Sequence, residues 1–165
     1  IMNEAVLLPT YNQPHNDTLA KEVLEKYPVH ACTDITGFGL LGHMVEMVSA
    51  SSVSVRVNVE AIPYMEEALA YARMGLVPAG AYRNREHSQA YVNIGDVEEA
   101  YTDVLYDPQT SGGLLASVPK KYAERILCEL RQVNTGTKSA VIGTVESKRE
   151  TYIYLEKENE ADGQK

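Results

Sequence analysis

Two spacings of apolar residues organise this chain. Val53, Val55, Val57 and Val59 alternate with Ser54, Arg56 and Asn58, the period of a strand with one buried face. Leu40, Leu41, Met44, Val45 and Val48 recur at helical spacing and predict a helix running to about Ala50. Tyr122, Ile126, Leu127 and Leu130 form a second helical stripe, in a helix opened by Pro119. Met65, Ala68, Leu69 and Ala72 predict another, with Pro63 in its first turn and Gly75 at its end. Asn16-Asp17-Thr18 predicts the cap of a helix from about Leu19 to Tyr27, closed by Pro28.

Shorter stretches complete the pattern. Val29 to Ile35 and Leu114 to Val118 read as strands, and Val97 to Leu105 as a short helix. Ala140 to Val145 and Tyr152 to Leu155 read as a closing hairpin. Residues 76–95 hold Pro78, Gly80 and Gly95 with little periodicity, and read as a long loop, a kind usually functional or mobile. Strands and helices alternate, so a mixed sheet packed by helices is expected, of α/β or α+β class. The expected organisation is one domain over residues 16–156. Residues 1–15 read as a remnant of an upstream segment or linker, and 157–165 as a charged, disordered tail.

Composition narrows the function classes. The 165 residues, 44% apolar and 23% charged, suit one globular domain with a sizeable core. No apolar run reaches the roughly 18 residues that span a membrane, and Ile1 to Leu8 lack the basic flank of a signal peptide. They look like a chain cut within an element. The net charge of -8 argues against nucleic acid. An anionic ligand would need a metal ion or helix ends to offset repulsion. Cys32 and Cys128 form neither a disulfide framework nor a metal cluster, which fits the cytoplasm.

The densest chemistry lies at Thr33-Asp34-Ile35-Thr36-Gly37-Phe38-Gly39-Leu40-Leu41-Gly42-His43. Gly37, Gly39 and Gly42 match G-x-G-x-x-G between a strand and a helix, and Glu60 ends the next strand. On paper this is a dinucleotide fingerprint. Asp34 argues otherwise. A bare carboxylate beside a pyrophosphate is repelled, but becomes useful if Mg2+ lies between them, because hard cations take carboxylate and phosphate oxygens together. The pattern therefore favours a metal-phosphate site with Asp34 as metal ligand. The bland alternative is a tight turn in which Asp34 caps a helix.

A second polar turn, Asp107-Pro108-Gln109-Thr110-Ser111-Gly112-Gly113, has backbone amides that can form an anion nest. Read alone, it is an ordinary turn composition. Arg83, Asn84 and Arg85 can reach phosphates from the expected loop, though solvated loop charges are the plainer reading. His43 reads as a local hydrogen-bond partner, Cys32 as a strand cysteine rather than a nucleophile, and Tyr64 and Tyr71 as core edge.

The string from Thr33 to His43 resembles the signature of selenophosphate synthetases (selenide, water dikinases). Asp107 to Leu115 is similar to their second C-terminal signature, and Val77-Pro78-Ala79-Gly80 with Arg83-Asn84 to a third segment. The resemblance covers about residues 18–155. Aminoimidazole ribonucleotide synthetase and thiamine-phosphate kinase share the architecture and parts of the glycine pattern. The resemblance implies the C-terminal domain of an ATP-dependent enzyme that makes selenophosphate, AMP and phosphate from ATP, selenide and water. It implies three layers, α/β/α, with a mixed sheet between helices.

By the same resemblance Asp34 would bind Mg2+, while Thr36, Gly37, Gly39, Asn84, Thr110, Ser111, Gly112 and Gly113 would shape the nucleotide site. ATP and selenide would be held mainly by an N-terminal domain carrying a reactive Cys or selenocysteine and a Lys. No such string occurs in this chain, so the chain alone is expected to be inactive. The complete protein is expected to be a homodimer. Three other readings remain open at this point: a dinucleotide-binding (Rossmann-like) oxidoreductase module, another ATP-binding enzyme of the same superfamily, and a non-enzymatic dimerisation or regulatory domain.

Overall fold

A computed structural model describes residues 4–9, 16–110, 112–133 and 138–157. Its strands are β1 (Glu4–Pro9), β2 (Ala31–Asp34), β3 (Val53–Asn58), β4 (Val92–Asn93), β5 (Leu114–Pro119), β6 (Ser139–Ser147) and β7 (Ile153–Glu156). Its α-helices are α1 (Asn16–Leu24), α2 (Gly39–Ala50), α3 (Glu66–Arg73), α4 (Ala79–Ser88), α5 (Glu99–Tyr106) and α6 (Lys120–Val133). The strands form one sheet in the order β2-β5-β1-β6-β3-β7-β4. Pairing is antiparallel from β2 to β3, then parallel between β3, β7 and β4. The class is α+β with a mixed sheet.

Each face of the sheet carries its own core. On one side α2, α3 and α5 bury Leu41, Met44, Leu69 and Leu105 against Val55, Val57, Ile142 and Ile153. On the other, α1 and α6 bury Val23, Leu24, Ile126, Leu127 and Leu130 against Ala116 and Val118. β5 shows the alternation: Leu115 joins the first core, Ala116 and Val118 the second. The result is the expected three layers. The apolar stripe of α6, at Ala123, Ile126, Leu127 and Leu130, is buried.

Four sequence expectations are corrected. Residues 4–9 are no linker: β1 pairs with both β5 and β6 in the middle of the sheet. The run Ala5 to Leu8 is apolar without alternation, a pattern found in central strands. Residues 1–3 and 10–15, and the expected tail beyond Lys157, lie outside the described residues. Residues 76–95 are not a loop but α4, a 3-10 turn and β4. In α4 the buried residues are the small Ala81 and Ser88, so no apolar stripe announces the helix. β6 and β7 are not a hairpin, because β3 lies between them. Finally, Pro63 precedes α3, which starts at Glu66.

Gly143 marks the tightest strand contact. It faces Val6 and Val57, beside the register shift between Val6 and Leu7. A Cβ there would run into the Arg56 carbonyl oxygen. Backbone approach of this kind is the usual reason for glycine inside a strand. Gly143→Ala is expected to lower stability by about 3 kcal/mol, measured by urea denaturation.

Candidate functional site

The site begins at the free edge of the sheet. In β2, Cys32 and Asp34 are exposed, and Ile35 just beyond is buried. Among the described residues β2 pairs only with β5, up to Asp34 opposite Leu114. The ladder then continues past both strand ends. Ile35 N donates to Gly113 O at 2.9 Å, and Gly112 N donates to Ile35 O at 3.0 Å. Gln109 N donates to Thr36 O, also at 3.0 Å. The two polar turns are thus zipped together along their backbones.

Glycines make the approach possible. A Cβ on Gly112 would lie 2.7 Å from Ile35 Cβ. Gly39 has φ +69, and a Cβ there would lie 2.8 Å from the Tyr106 carbonyl carbon, so the start of α2 sits on the end of α5. Gly113 also has positive φ, at 77. Gly37 differs: a Cβ would meet nothing within 4 Å.

α4 supplies the third segment. Gly80 packs on the Pro108 ring. Asn84 Nδ2 donates to Gly37 O and to Tyr106 O, each at 2.9 Å. Both amide hydrogens of Asn84 therefore hold main-chain carbonyls, one from each turn region. Neighbouring Arg85 is not a solvated loop charge. It pairs with Glu99 at 2.7 Å and with Asp103, donates to Thr102 Oγ1, and lies over the Tyr106 ring. Burial pushes the Asp103 carboxyl up, against the opposing pull of Arg85.

The three sequence segments singled out above thus converge. Asp34, Thr36, Gly37, Gly39, Asn84, Gly112 and Gly113 are brought into one neighbourhood. Thr110 is exposed at its rim, and Ser111 lies outside the described residues. The anion nest needs correcting: Gln109 N and Gly112 N are already donated to Thr36 O and Ile35 O, so these amides cradle the first turn. Asp107 faces inward within its own turn, accepting from Gln109 Nε2 at 3.1 Å. Burial raises its carboxyl pKa, and the Gln109 hydrogen bond opposes that rise.

Two contacts lay beyond sequence reasoning. Thr36 Oγ1 and His43 Nε2 lie 3.0 Å apart, and His43 Nδ1 lies 3.2 Å from Glu46 Oε2. The Phe38 ring tilts against His43 with centroids 5.4 Å apart. The signal available was the helical spacing of His43 and Glu46. Cys32 is not set up as a nucleophile: its side chain reaches solvent, yet partial desolvation against the sheet and then the Asp34 charge push its thiol pKa up.

The dinucleotide reading fails on topology. It needs neighbouring parallel strands around the glycine turn, but β5, β1 and β6 separate β2 from β3. A metal held by protein side chains alone has no support either: no group of three or more His, Cys, Asp or Glu lies together among the described residues. One exposed carboxylate and one hydroxyl in the same turn instead fit Mg2+, which usually keeps waters and takes one or two carboxylates plus phosphate oxygens.

Residues 9–156 match the family described as AIR synthase related protein, C-terminal domain. The chain belongs to that family. Relatives include the selenide, water dikinase of Clostridioides difficile (strain 630), 44% identical over 140 residues, covering 84% of this chain and 40% of the relative. Selenide, water dikinase 2 of Peptoclostridium acidaminophilum is 45% identical over 142 residues, covering 86% and 40%. The chain therefore spans about two fifths of the length of these relatives. Among solved structures, E. coli HypE superposes with a TM-score of 0.65 at 14% identity, covering 99% of this chain and 52% of that one. T. maritima PurL complexed with ADP gives 0.60 at 14% identity, covering 96% and 23%. These superpositions establish the fold. The resemblance to selenophosphate synthetases seen in the sequence is borne out. No helix among the described residues is long and apolar enough to cross a membrane.

Asn84 gives a direct test of the convergence. Asn84→Leu leaves the Gly37 and Tyr106 carbonyls without their donor, at a cost of about 1–3 kcal/mol. Faster hydrogen exchange at the Gly39 and Gln109 amides should accompany the loss.

Proposed function

We propose that this chain is the C-terminal part of an ATP-dependent selenide, water dikinase that forms selenophosphate, AMP and phosphate from ATP, selenide and water. Its joined turns close the Mg-nucleotide site, with Asp34 toward the metal. The observation that carries this reading is the exposed carboxylate of Asp34, without an ion-pair partner among the described residues, at the lip of two turns zipped together by their backbones. The names of the curated relatives, selenide, water dikinase, support the choice of enzyme family.

Two further features support it. Among the described residues no side chain caps the start of α2; Gly39 N is taken by Thr36 O, but the positive end of the helix dipole still favours an anion. Gly37 has open space around its missing side chain and no positive φ, so nothing within the described chain demands glycine there. Close approach of a ligand or of the rest of the protein does. Bound Mg2+ would neutralise phosphate charge. Asp34 would hold the ion, while Thr36, Gly37 and Gly39 would shape the turn beneath it. Asn84, Gly112 and Gly113 would keep that turn in register, with Thr110 and Ser111 along its rim. The complete protein would act in the cytoplasm as a homodimer, and this chain alone would make no selenophosphate, because half of a shared site lacks both ligands and preorganisation.

The test uses the complete protein. Asp34→Asn should fold normally and raise the Mg2+ concentration needed for selenide-dependent AMP release; unchanged activity at limiting Mg2+ overturns the assignment. Tight, Mg2+-independent NAD binding would count for an oxidoreductase instead. Gly37→Ala should shift stability by no more than about 0.5 kcal/mol yet impair nucleotide binding measured by calorimetry.

A further inference from the structure

The two arginines on either side of Asn84 in α4 have opposite fates. The side chain of Arg85 is 22% exposed and is engaged within the domain, by Glu99, Asp103, the Thr102 hydroxyl and the Tyr106 ring. Arg83 is exposed. Among the described residues it has neither an ion-pair nor a hydrogen-bond partner.

Helix geometry explains the difference. Each residue turns an α-helix by about 100°, so Arg83 and Arg85 leave α4 on nearly opposite sides. Arg85 leaves toward α5. Gly80 packs on Pro108, and Asn84 bonds the Gly37 and Tyr106 carbonyls, so the stripe through 80 and 84 rides on the joined turns. Arg83 lies about 60° round the helix from Gly80, on the side of that stripe away from α5. It stands at the solvent border of the turns.

The charges at this border give the cation a use. Asp34 is an exposed carboxylate, Asp107 belongs to the second turn, and the chain carries a net charge of -8. Such groups repel an anionic ligand. Arg85 is neutralised by Glu99 and Asp103, and Asn84 uses both amide hydrogens on carbonyls. Of these three consecutive residues, Arg83 is the one that keeps its donors. A guanidinium presents them in a planar fork that matches phosphate oxygens.

We infer that Arg83 is a phosphate-binding residue of this domain, its guanidinium contacting the phosphate oxygens of the nucleotide that the joined turns meet. The inference rests on the Mg-nucleotide reading above and adds to it the side chain that brings positive charge. It also separates the two arginines of one short segment into a ligand contact and a structural tie.

The test uses the complete protein, with Mg-ATP binding measured by calorimetry at saturating Mg2+. Arg83→Gln should weaken binding roughly tenfold or more. Arg83→Lys, which keeps the charge but loses the fork, should weaken it less. Added NaCl should narrow the gap between Arg83→Gln and the unaltered protein, because salt screens an exposed charge. The thermal midpoint without nucleotide should stay unchanged in Arg83→Gln and fall in Arg85→Gln. Unchanged Mg-ATP affinity in Arg83→Gln overturns the inference; the nucleotide reading still stands if Asp34→Asn raises the Mg2+ requirement, and falls with it if not. A lowered midpoint with unchanged affinity shows Arg83 paired with an acid elsewhere in the complete protein, and also overturns it. If affinity and midpoint both fall, a loss of affinity that added NaCl does not diminish counts against the phosphate contact.

Discussion

Ile35 is bonded on both sides of its peptide to a pair of glycines, receiving Gly112 N and donating to Gly113 O. Two turns far apart in the chain become one ridge through this exchange. Gly112 has no room for a side chain because Ile35 occupies it. Each such bond contributes about 1 kcal/mol net. That is enough to fix the register of a turn but not to hold the domain, whose stability rests on the two cores flanking the sheet. The ridge is accordingly a feature set by local fit on a scaffold made stable elsewhere. Asn84 extends the same logic from α4, reaching both regions with one amide group.

This arrangement sorts the glycines of the site. Gly39 and Gly112 are packing glycines, each pressed against a neighbouring segment, and Gly80 is a third, pressed on Pro108. Gly37 faces open space. A glycine-rich signature therefore mixes residues that bring the turns together with one that leaves room outside the chain.

Local periodicity was legible in the sequence, and long-range pairing was not. The alternation of Val53, Val55 and Val57 and the stripe of α6 depend only on neighbours along the chain, and both stand in the structure. α4 escaped because small residues make its buried contacts. β1 escaped because a short apolar run carries no period. The β6–β7 hairpin failed because adjacent strands usually pair, whereas here β3 takes the place between them. In the site, Asp34 and Thr36 were legible as sequence neighbours. The meeting of residues 34–39 with 107–113 and the double tie of Asn84 depend on tertiary contacts that no local pattern encodes.

If the joined turns close a Mg-nucleotide site, they must respond as one unit and only to metal and nucleotide together. Hydrogen exchange of the complete protein, with ATP, Mg2+, both or neither, measures this directly. The account predicts that amides at 36–39 and 109–113 gain protection in step when both are present, and little with either alone. Protection by ATP without Mg2+, or protection of one turn and not the other, would contradict it.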